Sequence, residues 1–287
     1  MSTQITTAFV EQYSANVLQL SQQRGSRLRA CVRVEPVTGK NAFIDRIGAV
    51  AARRRTARHS DTPQIDTPHS RRRVSLVDYD WADFIDDADK VRMLVDPASP
   101  YAMAGGWAMG RSMDDEIIAA FTGNASSGVD GSQSVALPGG QFVPHASAGL
   151  TIDKLLKAKE ILDSADVDDG TARYVAVTAK QITNLLSATE VKSADYNTVK
   201  ALVRGEVDTF LGFKFIRTER LTKDTNGNRQ VIVWAEDGMV LALGKEPVAR
   251  ITERADKNYA TQVYYSMSIG ATRLEEAKVI AIACVET

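Results

Sequence analysis

The sequence predicts an α+β fold in which an arm, a long helix, a mixed middle and a strand-rich end follow one another, without repeating strand–helix–strand units. Three observations predict it. Residues 27–77 read as two strands around a long basic tip with too little apolar surface to form a core of its own. Residues 98–122 read as one helical stretch. From Gly212 onward, short apolar runs of strand length are separated by turn residues.

In chain order, residues 3–23 carry Ile5, Phe9, Tyr13 and Val17 at roughly four-residue steps, the pattern of an amphipathic helix or arm that ends at Gly25. From Arg27 to Val34 apolar and polar residues alternate, which predicts a strand. Pro36, Gly39 and Gly48 punctuate the next stretch of chain. An arginine-dense stretch (Arg53, Arg54, Arg55, Arg58) and a polar linker holding Pro63 and Pro68 lead to Arg71, Arg72 and Arg73, then to a second strand at Val74–Val77. The sign of charge flips next. Asp78, Asp80, Asp83, Asp86, Asp87 and Asp89 crowd a helix-like segment around Trp81, Phe84 and Ile85.

In the stretch 98–122, Gly105 and Gly106 are expected to loosen the middle. Its second half has Ser112 as a cap and Asp114, Asp115 and Glu116 as dipole-complementing acids of a helix start. Residues 123–149 are rich in Gly and Ser and read as a long loop. Helices are predicted at Thr151–Ala165, Ala179–Ser187 and Asn197–Val203, and strands at Tyr174–Val177 and Gly212–Arg217. Asn226-Gly227 before Val231–Trp234 is a hairpin signal. Strands at Met239–Leu243, Val248–Ile251, Thr261–Ile269 and Val279–Val285 complete the chain.

With 287 residues, 44% of them apolar, the chain is long enough to bury a substantial core. The net charge of −1 gives no overall reason to expect nucleic acid or membrane as partner. No apolar run reaches the length of about 18 residues that spans a bilayer. The N-terminus lacks the basic start and apolar core of a signal peptide, so synthesis and folding in the cytoplasm are expected. Cys31 and Cys284 suit a reducing compartment, though one bridge remains compatible with the sequence.

Signals for catalysis, cofactor or metal are poor. His59, His69 and His145 all lie in loop-like segments without a partner at ligand spacing. Asp224–Asn228 has the start of a calcium loop, but its sixth position is Arg229 and no Glu stands at the twelfth, so a turn is expected. Gly105-Gly106 lacks the phosphate-loop pattern. Trp81, Phe84, Trp107 and Phe121 read as core or interface residues rather than base-stacking platforms.

Three segments carry a resemblance. The first runs through Asp80, Trp81, Asp83, Asp86, Asp89, Lys90, Arg92, Leu94, Asp96 and Pro97. The second holds Gly110, Arg111, Asp114, Asp115, Ile117, Ile118, Ala120, Gly123 and Ala125. The third holds Ala255, Asp256, Lys257, Ala260, Gln262 and Val263, then Gly270, Ala271, Arg273, Leu274, Glu275 and Glu276. From about residue 80 to the end, in this order, they resemble a family of tailed-phage major capsid proteins.

The resemblance implies the Hong Kong 97-type phage capsid fold, with an N-terminal arm (1–26), an extended two-stranded loop (27–77), a peripheral domain with spine helix (78–150), an axial domain (151–240) and returning peripheral strands (241–287). It implies a shell subunit that forms pentamers and hexamers of an icosahedral head around double-stranded DNA, in a virion assembled in the host cytoplasm. Portal and separate scaffold or decoration proteins are the implied partners, since too few residues precede the loop for a built-in scaffold. Lys40 is the only lysine in the arginine-rich loop, which argues against a lysine–asparagine crosslink there.

Arg53, Arg54, Arg55, Arg58, Arg71, Arg72 and Arg73 then have three readings: a solvated loop, a contact with packaged DNA, or docking on acids of a neighbouring subunit. Asp83, Asp86, Asp87 and Asp89 are natural acceptors, and docking is the favoured reading. An encapsulin-like cargo shell with the same fold is the first rival. A soluble cytoplasmic enzyme with an unrecognised site is the second.

Overall fold

A computed structural model describes residues 21–58, 62, 64–86, 98–187 and 209–286. The arm helix expected within 3–23 (apart from its last three residues), the helix at 197–203, His59, Pro63, Asp87 and Asp89 lie outside them. The expected first strand is split: Leu28 is fully buried and a short 3-10 turn, Arg29–Cys31, precedes β1 (Arg33–Pro36). β2 (Asn41–Ile47) and β3 (His69–Ser75) pair antiparallel from Asn41 opposite Ser75 to Ile47 opposite His69. Residues 48–58 between them form neither helix nor strand.

The helix-like segment expected around Trp81 is instead strand β4 (Val77–Ile85). Its alternation explains why: Tyr79, Trp81, Asp83 and Ile85 turn toward cover while Asp78 and Asp80 stay exposed, a period of two that outweighs the weak strand propensity of aspartate. The long helix α1 (Ala98–Thr122) is unbroken over 25 residues. Gly105 does not loosen it. A Cβ there would lie 2.6 Å from the Trp81 ring and 2.8 Å from Tyr265, so the glycine permits close approach of two aromatic side chains.

The loop expected at 123–149 contains three short strands, β5 (Ala125–Ser127), β6 (Gln133–Val135) and β7 (Phe142–Val143). Strands this short carry too few residues to display a period. Helix α2 (Ile152–Ser164) starts as predicted, with the Thr151 hydroxyl accepting from the Lys154 amide at 3.4 Å. β8 (Arg173–Val177), helix α3 (Ala179–Ser187), β9 (Thr209–Phe210), β10 (Phe213–Arg217) and β11 (Arg229–Ala235) come next. The strand-rich end consists of β12 (Met239–Arg254), β13 (Ala260–Arg273) and β14 (Val279–Cys284).

β12 unites two predicted strands across Gly244 and Pro247. Its partner β1 stops at Pro36 opposite Leu243, so among the described residues β1 does not pair with β12 at Pro247, and a proline without N–H is tolerated at such an edge position. Asn226-Gly227 forms the expected turn, with Gly227 at φ 81°, but not a hairpin between sheet neighbours. A single bridge of Lys223 with Arg229 and a few backbone hydrogen bonds, Asp224 to Asn228 and Gln230 to Thr222 among them, close it, and β11 pairs with β8 and β14.

Among the described residues three sheets result, ordered β1-β12-β13-β4, β7-β14-β11-β8-β10-β9 and β2-β3-β5-β6. The chain divides into two units. One comprises 1–26, 78–112 and 245–267; the other comprises 27–77, 113–244 and 268–287. Boundaries fall inside α1, β12 and β13, which contribute to both, and after the first residue of β4. The first unit contains the Trp81–Tyr265 edge contact at 6.1 Å, the Tyr264 hydroxyl donating to Asp80 at 2.6 Å, and Arg24 over the Trp107 ring at 5.2 Å.

The second unit contains the six-stranded sheet and its core, where β8 and β14 are buried at every position. Leu155, Ala158 and Leu162 of α2 pack against Val175, Val177, Phe213, Val231, Ile280 and Ile282. Both cysteines are free thiols, and burial pushes that of Cys284 up to about 11. Among the described residues no helix is long and apolar enough to cross a membrane.

A carboxylate fastens the end of this sheet. Glu286 accepts from Arg229 at 2.9 and 3.1 Å, from Gln181 at 3.0 Å, and pairs with Lys223 at 3.0 Å. The Arg229 hydrogen bonds are the main reason that its pKa falls from 4.5 to about 2. A carboxyl group whose folded value is depressed stabilises the fold above its unfolded value and loses that contribution as pH falls through the folded value. Stability is therefore expected to decline between about pH 5 and pH 2, and Glu286→Gln to flatten that decline while lowering stability at neutral pH. Urea titrations of both proteins at several pH values check this; parallel pH profiles would refute it.

Candidate assembly surface

Of the seven arginines that form one basic cluster in sequence, the structure makes two groups. Arg53, Arg54, Arg55 and Arg58 are exposed at the tip between β2 and β3. Arg55 donates from Nε to the Ala57 carbonyl at 3.0 Å, and among the described residues none pairs with Arg53, Arg54 or Arg58. Arg71, Arg72 and Arg73 lie on β3, where alternation sends neighbours to opposite faces.

Arg71 stands opposite Asp45 and holds it through two hydrogen bonds, at 2.6 and 3.3 Å, with its guanidinium 5.5 Å from the Phe43 ring centre. The hydrogen bond from Arg71 keeps the Asp45 carboxyl below its usual range. Arg73 donates to the Asp130 carbonyl at 3.3 Å. Arg72 faces the other way and is 1% exposed, paired with Glu276 of the same chain. It is therefore corrected from a docking residue to an internal one, because a strand's period of two buries the middle residue of the triplet.

The acidic side of the expected contact is only partly described. Asp83 is half-buried on β4 and accepts from the Phe84 amide at 2.8 Å, while Asp86 is exposed just beyond the strand. The outward face at the root of the loop adds an apolar element that the sequence pattern did not single out. Phe43 is 43%, Ile47 68% and Val129 78% exposed, and Ile47 and Val129 line a shallow groove with Asp45, His69, Arg71 and Gln133. The alternation of Phe43, Asp45 and Ile47 carried the signal, in a stretch where no strand was predicted, but the turn that brings Val129 beside it left no such signal.

The remaining candidates resolve simply. His69 and His145 are exposed, and the His145 ring accepts from the Ser147 amide at 2.9 Å. Asp224 is saturated by its own turn, accepting from the Asn226 and Asn228 amides at 2.8 Å each and from the Asn228 side chain at 3.0 Å. Asp114, Asp115 and Glu116 are not at a helix start. They sit well inside α1, where Asp114 is fully buried and accepts from the backbone amides of Arg27 and Leu28 at 3.0 to 3.2 Å. Asp115 pairs with Arg220. Ser112, expected as a cap, donates to the Ala108 carbonyl one turn back.

An exposed basic tip and an exposed apolar patch beside it are surface features of the kind that often mark contact sites. A profile of the phage capsid protein family matches the chain over residues 5–286. The chain belongs to that family. No curated protein matches this capsid protein closely enough to count as a relative. Solved capsid structures do match. That of cyanophage P-SCSP1u has a TM-score of 0.76 at 17% identity, covering 100% of this chain and 96% of its own. That of Ralstonia phage GP4 has a TM-score of 0.75 at 9% identity, covering 97% and 96%. Cyanophage Pam1 gives 0.70 at 13% identity, covering 97% of each. At such identities the likeness establishes the fold: this capsid protein has the Hong Kong 97-type fold, mixed in helix and sheet. It is a structural protein of a phage shell and is located in the virion capsid.

Proposed function

We propose that this chain is the major capsid protein of an icosahedral head, assembling as pentamers and hexamers around double-stranded DNA. The observation that carries this reading is the family match over residues 5–286. The exposed tip and the apolar root of the extended loop support it. In this reading the arm is 1–26, the extended loop 27–77, the peripheral domain with spine helix 78–150, the axial domain 151–240, and 241–287 returns to the peripheral domain.

Arg53, Arg54, Arg55 and Arg58 dock on acids of a neighbouring copy, with Asp83, Asp86, Asp87 and Asp89 as acceptors. Guanidinium forks match carboxylates in geometry as well as charge. Each such exposed pair contributes only about 0–1 kcal/mol. A closed shell repeats the contact by symmetry, so many weak pairs suffice. The net charge of −1 suits a wall that encloses DNA without gripping it. Assembly takes place in the host cytoplasm with a portal and separate scaffold or decoration proteins.

Electron microscopy of the chain expressed alone, and together with a candidate scaffold, tests the proposal. Closed shells or rings of five or six are expected. Monomers under both conditions would sink it.

A further inference from the structure

Two arginines, from β2 and β3, converge on one short piece of chain that begins with a third, Arg273. Arg273, at the end of β13, is fully buried and donates to the carbonyls of Ala120 at 3.2 Å, Phe121 at 2.8 Å and Gly123, and to Val135 at 3.0 Å. The first three are the orphan acceptors at the C-terminal end of α1, where the helix dipole is negative and a cation is favoured. The next residue, Leu274, donates its amide to the Gly238 carbonyl at 2.8 Å. Its own carbonyl accepts from Arg46 of β2 and from Arg72 of β3, the latter at 3.4 Å. Two residues on, the Glu276 carboxylate pairs with Arg72 and lies 4.0 Å from Arg46.

Residues 273–276 thus form a strut. One end holds the last turn of the spine helix, and the other holds both strands at the root of the extended loop. Among the described residues Glu276 is the one carboxylate paired with Arg46 or Arg72. Without it, two guanidiniums of like charge would share a carbonyl in a largely water-free place, an arrangement that burial makes unfavourable.

We propose that Glu276 is a positioning residue: it holds Arg46 and Arg72 on the 273–276 strut and so couples the direction of the extended loop to the C-terminal end of the spine helix. The core of the six-stranded sheet does not depend on it. The consequence for shells rests on the assembly reading above, whereas the coupling itself is a property of the subunit.

Hydrogen–deuterium exchange on the full chain tests it with Glu276→Gln, Glu276→Asp and the paired apolar replacement Arg72→Met with Glu276→Leu. In Glu276→Gln, amides of β2 and β3 are expected to exchange about ten-fold faster or more, while those of β8, β11 and β14 keep wild-type protection. Glu276→Asp should recover part of the loss. The paired replacement should restore stability without restoring loop protection, because Arg46 then has no carboxylate. Unchanged β2 and β3 protection, or acceleration spread evenly over all strands, would overturn the proposal. If the wild-type chain fails to form shells, the assembly reading falls, and the exchange comparison still decides the role of Glu276.

Discussion

Replacing Arg53, Arg54 and Arg55 together by glutamate is expected to abolish closed shells and to leave the subunit folded. All three side chains are exposed, and they belong to a segment without helix or strand, so the fold loses little when they change. Assembly loses much more. Three positive charges per copy become negative, and each docking pair turns from attraction to repulsion against the aspartates that it is proposed to meet. The effect is then repeated at every equivalent contact of the shell. Electron microscopy reads the assembly and circular dichroism the fold. Shells of normal yield from a folded triple variant would rule out the tip as a docking element.

The second large effect lies in the core. Trp234 on β11 is fully buried, stacked on Tyr174 at 5.7 Å and packed on Phe121 at 4.7 Å, and its indole N–H donates to the Cys31 carbonyl at 2.8 Å. Trp234→Ala removes the ring from between the sheet and α1 and leaves a cavity, an expected cost of about 3–5 kcal/mol. It also strands the Cys31 carbonyl, and such a loss is a large share of the stability of a domain. Trp234→Phe keeps most of the packing and should cost less, mainly the lost hydrogen bond of about 1 kcal/mol and some volume. Urea unfolding of the three proteins measures both steps. An alanine variant within about 1 kcal/mol of wild type would mean that the surroundings collapse onto the site.

Legibility followed periodicity. Helices α2 and α3 and strands β8, β10, β11, β13 and β14 stand within a few residues of where their patterns put them, because each shows either its own period or, as in β8 and β14, an unbroken apolar run of strand length. Where the pattern conflicted with composition, composition misled. The aspartates around Trp81 suggested a helix, yet the alternation of Tyr79, Trp81 and Ile85 describes a strand. Gly105 and Gly106 suggested a loosened middle, yet the helix continues, and Gly105 leaves the space that Trp81 and Tyr265 take up. The acids at 114–116 suggested a helix start, yet Asp114 serves backbone amides 86 and 87 residues away in sequence.

Residue pattern alone was enough for the α+β class, for most elements of the strand-rich end and for the exposed basic tip, since these depend on local period and on charge that stays in water. The ordered motifs from residue 80 onward also carried the resemblance to the capsid family that the match over residues 5–286 bears out. Only the folded chain separates Arg72 from Arg71 and Arg73, brings Val129 beside Ile47, and places Glu276 on Arg72 and Arg46. Those pairings join residues up to 230 positions apart (Arg46 to Glu276). Sequence spacing holds no record of them, because they arise from strand register and from the cost of burying a charge without a partner.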